Sequence, residues 1–335
     1  MGIRTQATGD NSTVMGADSK AIGNASTAMG QTTTASGAQS TAMGQNTTAS
    51  GNQSTAMGNG TKAEGTASTA MGQVTTAKGS YSTAMGLRTQ AIGNNSMAMG
   101  ADGKAIGIGS TAMGQSTTAQ GNYSTAMGIR TQATGDNSTV MGADSKAIGN
   151  TSTAMGQTTT ASGTASTAMG QSTIASGTAS TAMGNQTTAT GGSSTAMGAN
   201  TKAEGATATA MGQSTTASGK YSTAMGLRSK ATADTSTAMG TDTLASGENA
   251  TAMGFHGTAS GKNSLTLGHY TEATNTNAVA GGVGTKAKGA SSLAMGGYTI
   301  AEGEMSTALG SRTQAKGRYL SLIHISEPTR HAQIS

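Results

Sequence analysis

The sequence predicts an all-β protein built as a parallel β-solenoid, in which short strands stack coil on coil. Three observations lead to this fold class. The five residues Ser-Thr-Ala-Met-Gly, first complete at residues 26–30, return every 14 residues almost to the end of the chain. The Gly after the Met occurs in every repeat, and so does an Ala five residues beyond that Gly. A fixed period with fixed glycines is typical of stacked structural units.

The repeat keeps its phase from residue 1 to residue 309 without insertion or deletion, which gives 23 coils. Leu267, Gly281 and Leu309 take the methionine position in three of them. Residues 1–23 are identical to residues 127–149, whereas the best later match is 140 residues away, so a block of coils was duplicated and the copies differ by one coil. Gain of a whole coil is tolerated when contacts run only between neighbouring coils.

The composition argues against an ordinary globular domain. The 335 residues include one Phe, no Trp and 2% aromatic residues, which leaves little for a thick core. Abundant Gly, Ser, Thr and Ala would also suit a flexible linker, but a linker has no physical reason to hold Ala and Gly in phase. The formal charge of +5 comes from dispersed Lys and Arg, so nothing indicates nucleic-acid binding.

The sequence gives no sign of direct membrane insertion, because no apolar run is long enough to span a bilayer. It also lacks the pattern of a secretory signal peptide. The absence of Cys fits an exported protein. If the protein is exported, we expect the signal and the anchoring part to lie outside this chain.

The repeat phase is lost after Tyr319. Residues 320–330 read Leu-Ser-Leu-Ile-His-Ile-Ser-Glu-Pro-Thr-Arg, which resembles the in-frame translation of a common sequencing-library adapter. We therefore predict two segments. Residues 1–319 form the repeat coils, the last of them incomplete, and residues 320–335 form a non-native tail.

Within each coil the pattern Ser/Thr-x-Ala-x-Gly occurs twice, as at residues 19–23 and 26–30. We predict a five-residue strand at each site, with a tight corner after each Gly. Because strand residues alternate between two faces, Ala21 points away from Lys20. A column that holds Lys faces water, so the Ala and Ser/Thr positions line the coil interior. Because the same pattern recurs seven residues later, the equivalent positions of the second strand, including Ala28, also face inward.

The alternation leaves Thr27 and Met29 pointing out of their own coil. Stacked about 4.8 Å apart, the repeat methionines would form an apolar stripe larger than soluble monomers usually expose. We therefore predict that the stripe is an interface between copies of the chain, closed symmetrically around an axis. The predicted interface residues are Met29, Met43, Met57, Met71, Met113, Met155, Met169, Met183, Met211 and Met239.

The repeat resembles the YadA-like head of trimeric autotransporter adhesins, whose motif reads roughly Asn-Ser-Val-Ala-Ile-Gly with a following Ala-x-Gly. Residues 26–30 and 35–37 match it position by position, with Thr27 in the Val position and Met29 in the Ile position. The resemblance covers residues 1–319. It implies a left-handed parallel β-roll, three chains around one axis, and display on the bacterial outer membrane, where a homotrimeric adhesin would attach to extracellular matrix or other surfaces.

Three other functions are compatible with the repeat. The first is a phage tail fibre, because repeats of this kind also resemble those of tail fibres. The second is a structural spacer, which would differ from an adhesin only in lacking a ligand. Ice binding is the third alternative, because Thr33, Thr47 and Thr61 belong to a Thr column of the kind that orders ice on flat solenoids. The face assignment opposes ice binding, since this column points inward.

The corners hold the candidates for a ligand-binding surface, because exposed Tyr and Arg are favoured at binding surfaces. Simple corner packing is the alternative interpretation of these residues. The candidates are Tyr81, Tyr123, Tyr221, Arg88, Arg130 and Arg228.

The sequence predicts no enzyme, no cofactor and no metal site. His256 and His269 are close in sequence to two glutamates, but no metal-ligand spacing emerges, so solvated corner residues explain them better. The glycines at residues 281–284 are not followed by the Lys-Ser/Thr and helix of a phosphate loop. No Ser has a nearby His base.

Overall fold

Each 14-residue coil contains one strand of two residues and one strand of five, called here the short strand and the long strand. The computed structural model describes residues 3–323, so the expectations for Met1 and for residues 324–335 lie outside the described residues. The chain divides into two units, Met1–Ala179 and Ser180–Ser335. The same coil is found in both.

The strands of the first unit have the following bounds. Its short strands are Gln6–Ala7, Lys20–Ala21, Thr34–Ala35, Thr48–Ala49, Lys62–Ala63, Thr76–Ala77, Gln90–Ala91, Lys104–Ala105, Thr118–Ala119, Gln132–Ala133, Lys146–Ala147, Thr160–Ala161 and Ile174–Ala175. Its long strands are Thr13–Ala17, Thr27–Gln31, Thr41–Gln45, Thr55–Asn59, Thr69–Gln73, Thr83–Leu87, Met97–Ala101, Thr111–Gln115, Thr125–Ile129, Thr139–Ala143, Thr153–Gln157 and Thr167–Gln171.

The strands of the second unit repeat this order. Its short strands are Thr188–Ala189, Lys202–Ala203, Thr216–Ala217, Lys230–Ala231, Leu244–Ala245, Thr258–Ala259, Glu272–Ala273, Lys286–Ala287, Ile300–Ala301 and Gln314–Ala315. Its long strands are Thr181–Asn185, Thr195–Ala199, Thr209–Gln213, Thr223–Leu227, Thr237–Thr241, Thr251–Phe255, Leu265–His269, Val279–Val283, Leu293–Gly297 and Thr307–Ser311, with a three-residue strand at Ser321–Ile323.

Within each unit, strands of neighbouring coils pair in parallel, and the paired residues are 14 positions apart. Met43, for example, is opposite Met29 on one side and Met57 on the other. The ladder continues through the corners, where the N–H of Thr32 donates to the carbonyl oxygen of Ala17 at 2.8 Å. The predicted parallel solenoid of 14-residue coils is confirmed. Among residues 3–323 there is no helix long and apolar enough to cross a bilayer.

The two predicted five-residue strands are unequal in the structure, and the first was predicted too long. Of residues 19–23 only Lys20–Ala21 forms a strand, and the second strand is Thr27–Gln31. The reason lies in the backbone: the N–H groups of Ile22 and Gly23 both donate to one carbonyl oxygen, that of Ala35, at 2.7 and 3.3 Å. Two consecutive donors on one acceptor end the ladder and turn the chain into a five-residue corner.

Each coil therefore has a long corner, residues 22–26, and a short corner, residues 32–33. Each corner holds one residue in the left-handed conformation, Ala25 at φ 54° and Thr32 at φ 57°. These positions are seven residues apart, which explains why the sequence pattern recurs after seven residues within each coil. Left-handed φ costs a non-Gly residue about 1–2 kcal/mol, and bonds such as that from Thr32 to the preceding coil hold the corner there.

The Gly after each Met has no substitute because neighbouring coils approach there backbone to backbone. Gly30 has φ 132°, a conformation that other residues rarely adopt, and a Cβ on it would overlap the carbonyl oxygen of Gly44 in the next coil. The same approach recurs from coil to coil, which explains why this Gly occurs in every repeat.

The predicted inward positions are confirmed. Ser19, Ala21, Ser26 and Ala28 are fully buried, and so are the equivalent Ala and Ser/Thr positions of most other coils, whereas Ala7 at the first described coil is exposed. Some buried hydroxyls have a local acceptor; Ser40 Oγ, for example, donates to the carbonyl oxygen of Gly37 at 2.6 Å. The interior is narrow because small side chains from both strands meet across it.

The first residues of the predicted tail continue the ladder. Ser321, Leu322 and Ile323 pair in register with Thr307, Ala308 and Leu309. An end coil offers unpaired backbone groups that an extended segment with apolar residues can use. The assignment of residues 320–335 as non-native stays a prediction, and most of that segment lies outside the described residues.

One departure from the repeat is compensated inside the core. Gly257 stands where most coils have an inward Thr, and nine residues later Thr266 stands where they have Ala or Val. A Cβ on Gly257 would lie 3.1 Å from Thr266 Oγ1, so the hydroxyl of Thr266 occupies space that Gly257 leaves free. Gly103 is the matched case without compensation: its counterpart is Ala112, and a Cβ added to Gly103 would lie 3.5 Å from Thr117 Oγ1.

We predict that Gly257→Thr destabilises the protein by about 1–3 kcal/mol, because two Thr side chains would compete for one space. Thr266→Ala in the same chain should remove most of that cost. The control, Gly103→Thr, should be neutral or stabilising. Chemical unfolding of the three variants and of the unchanged protein measures these effects, and an equal cost at both glycines would refute the compensation.

Candidate functional site

The outward side of the long strands is called here the methionine face. It consists of the methionine column, to which Met29 belongs, and the adjacent threonine column, to which Thr27 belongs. Both residues are half-buried, whereas Ala28 between them is fully buried. The ten methionines predicted at an interface are all half-buried on this face. The structure therefore places them outside their own coil, as the sequence predicts; the interface itself stays a prediction.

The face is apolar through both columns in several coils. Met97, Leu265, Val279 and Leu293 replace Thr in the threonine column, and Met97 and Leu265 are 39% and 37% exposed. The face changes within the second unit, where Leu267 is 54% exposed and the next coil has the buried Gly281 in the methionine position.

Charge separates the two sides of the coil, a feature that the sequence analysis missed. No long strand within residues 3–323 contains Asp, Glu, Lys or Arg. The short strands do, and a shallow groove of about 500 Å³ on that side is lined in part by Arg228, Lys230 and Asp242. The signal was present in the sequence as a charge-free five-residue segment in every repeat.

The predicted ligand-surface residues fall at opposite ends of the long strands. Tyr81 lies in the long corner before Thr83–Leu87 and Arg88 in the short corner after it. Seven residues of extended chain separate them by about 20 Å. Tyr81, Tyr123 and Tyr221 are about two-thirds exposed, at 66%, 65% and 66%. The structure therefore places the Tyr and Arg residues at opposite edges of the methionine face and does not bring them together.

The three candidate arginines are held by aspartates one coil further on. Arg88 Nε donates to Asp102 Oδ1 at 2.7 Å, and Arg88 Nη2 donates to Asp102 Oδ2 at 2.7 Å. Arg130 pairs with Asp144 and Arg228 with Asp242 in the same two-bond arrangement, both at 2.6 Å. The aspartates occupy the same corner column as the arginines, so a spacing of 14 residues was the signal that could have found the pairs.

These pairs shift the pKa values of the carboxyl groups. Hydrogen bonds from Arg88, followed by its positive charge, lower the pKa of Asp102 below its ordinary value, while partial desolvation opposes the shift. The same causes lower the pKa values of Asp144 and Asp242. The guanidinium groups are thus engaged within the chain, which favours corner packing as the role of the arginines.

The two histidines belong to an aromatic cluster in the second unit. Phe255 stacks on His269 with ring centroids 4.9 Å apart, and His256 stacks on Tyr270 at 4.8 Å. Nε2 of His256 lies 3.7 Å from Oδ2 of Asp242. Among residues 3–323 no group of three or more potential ligands could hold a metal ion.

The glutamates considered with those histidines have partners of their own. Glu248 pairs with Lys262 at 3.0 Å and Glu272 with Lys286 at 2.9 Å. The histidines and carboxylates therefore take part in packing and ion pairing between coils.

In a comparison with protein families, the repeat region of the chain matches the YadA head domain repeat (2 copies). The matched residues are 1–19, 7–33, 21–47, 35–61, 49–75, 63–89, 77–102, 105–131, 119–145, 133–157, 147–173, 175–201, 203–229, 231–256, 259–285, 287–313 and 301–319. The chain belongs to the YadA head repeat family. The predicted resemblance is confirmed, and the family and the solenoid fold are structural rather than enzymatic. No curated protein gives a significant match.

In this YadA head repeat we predict that Arg88→Gln raises the pKa of Asp102 towards its ordinary value. The lowered folded-state pKa means that the pair stabilises the fold at neutral pH. The contribution is lost as pH falls below the ordinary Asp range and through the lowered value. It is small and sensitive to salt because both side chains are exposed.

Carboxyl-carbon NMR titration of Asp102 measures the shift. Arg130→Gln is the control, since it removes a different pair and should leave Asp102 unchanged. An Asp102 titration that is the same with and without Arg88 would contradict the assigned cause.

Proposed function

We propose that this chain is the head region of a bacterial surface adhesin, which associates as a homotrimer of left-handed β-rolls through its methionine face and attaches the cell to extracellular matrix or other surfaces. The observation that supports the proposal is the separation of charge: within residues 3–323 no long strand contains a charged residue, whereas several short strands do. Depletion of charge at the core is what distinguishes protein interfaces from other surfaces.

The energetics of the methionine face support association. Covering the exposed part of a half-buried Met contributes less than about 1 kcal/mol, a fraction of the value for full burial. Because the methionines of each unit are in register, a second copy with the same period meets the face coil for coil, and the contributions add. Closed rotational symmetry covers the face on every copy. The number three follows from the family.

The exposed corners are the part of such an assembly that remains available to a ligand. The tyrosines at the long corners have the exposure and residue type of contact residues. The arginines are bound to aspartates, so we assign ligand contact to Tyr81, Tyr123 and Tyr221. Ice binding has no such support, because the column of Thr33, Thr47 and Thr61 is fully buried.

We predict that the chain forms a trimer and that Met155→Asp abolishes it, because closure would bury three uncompensated charges near one axis. Thr160→Asp, on the short strand of the next coil, should cost about 0.5 kcal/mol or less. Ala161→Asp should lower the melting temperature strongly by overfilling the core, without first separating the subunits.

Light scattering and thermal unfolding of the three variants test the face assignment. A folded wild-type monomer at micromolar concentration would contradict the association. If Thr160→Asp were the most harmful change, the assignment of the two sides would be wrong.

We predict that replacing Tyr81, Tyr123 and Tyr221 together by Ser lowers binding to immobilised collagen, fibronectin or laminin at least tenfold. Tyr298→Ser is the control, since Tyr298 is 63% exposed but lies in a short corner. Solid-phase binding measures the effect. Wild-type protein that binds none of the three matrix proteins would favour a spacer, and unchanged binding of the triple variant would place the ligand site elsewhere.

A further inference from the structure

The methionine face is built from one oxidisable residue type. Of the 22 methionines in the chain, 20 occupy the methionine column, and the described ones point out of their own coil. Met15, Met141 and Met295 are 54%, 36% and 45% exposed. These are the more exposed members of the column, and side chains exposed to this degree can be reached by small oxidants in a single chain.

The coil itself does not require sulfur at this position. Leu267 and Leu309 occupy the same column, and their strands pair in the same register as their neighbours. An aliphatic side chain therefore supports the ladder equally well. What Met adds is flexibility and a thioether that accepts an oxygen atom.

We propose that the methionine column is a site of oxidative modification that controls association of the chain. The reagent class is a peroxide. The sulfur lone pair attacks one oxygen of hydrogen peroxide and the O–O bond breaks. The proton on the transferred oxygen passes to the departing hydroxide, which leaves as water, and the thioether is oxidised by two electrons to the sulfoxide. The inference rests on the proposed function, because the modified side chain acts by disrupting association through the methionine face.

The effect follows from the chemistry of the face. A sulfoxide is polar and accepts hydrogen bonds, whereas the backbone donors of the long strands are already used between coils. Oxidation of successive coils would place a polar oxygen at each layer of an apolar interface, where burial without a partner is unfavourable. Closure of the assembly would in turn exclude the oxidant from the same sulfur atoms.

The chain contains a matched internal control. Met305 lies in a long corner, outside the methionine face, and is 51% exposed, close to the 45% of Met295. Both lie in one tryptic peptide, residues 289–312, because no Lys or Arg intervenes. In a single chain the two should oxidise at similar rates. In the assembly Met295 should be protected at least tenfold relative to Met305.

The experiment uses the full chain and a second preparation in which norleucine, which has no sulfur, replaces every Met. Each is treated with hydrogen peroxide either before refolding or after assembly. We expect oxidation before refolding to lower the trimer fraction of the Met chain at least tenfold by light scattering, with the β-sheet circular dichroism retained. The norleucine chain should be unaffected, and reduction by methionine sulfoxide reductases A and B should restore the trimer.

The outcomes separate the two proposals. A trimer that forms equally well after oxidation, or equal oxidation rates of Met295 and Met305 in a proven trimer, would overturn the redox inference alone. Loss of the β-sheet signal on oxidation would also overturn it, because the effect would then be on the coil. An untreated chain that stays monomeric would overturn the proposed trimer and the inference with it.

Discussion

Direct backbone contact between neighbouring coils is the constraint on which the rest of this structure depends. The Gly after each Met allows the carbonyl of the next coil to approach so closely that a Cβ would overlap it, as at Gly30 and Gly44. The parallel ladder then continues through strands and corners alike. An inserted residue would break this contact in its coil and in both neighbours, which explains the constant period of 14 residues. The interior can be narrow because stability arises between coils.

The same stacking converts a small preference in one coil into a continuous surface. A Met on one long strand is opposite a Met on the next, so a single outward position becomes a column and, with its Thr neighbour, a face. In the described part of the chain, charge is absent from the long strands and present on the short strands, which gives the coil two sides with different chemistry. The apolar side that we propose for association also contains most of the methionines, so the proposed association and the proposed oxidation involve the same residues.

The corners are where the repeat admits variety. Their left-handed positions accept Ala, Thr, Tyr, Arg and Asp because the side chains there are exposed or partly exposed and fill no fixed space. Residues of one corner column meet across successive coils, which produces the Arg88–Asp102 pair and the amide ladder from Asn249 through Asn263 to Asn277. The aromatic cluster around His256 arises in the same way. Variation in ligand recognition is therefore expected at the corners rather than on the long strands.

The sequence by itself determined the coil length, the parallel stacking and the inward or outward direction of each strand position. These properties can be read along the chain. The repeat is 14 residues long, side chains of a strand alternate between two faces, and Lys20 must face water whereas its neighbour Ala21 can be buried. The tertiary structure decided the unequal strands, because two N–H groups share the carbonyl of Ala35.

The tertiary structure also decided the pairing of Arg88 with Asp102, the separation of Tyr81 from Arg88 and the exchange of volume between Gly257 and Thr266. Each depends on where a corner places a side chain relative to the next coil. That placement follows from corner geometry, which the linear pattern does not specify.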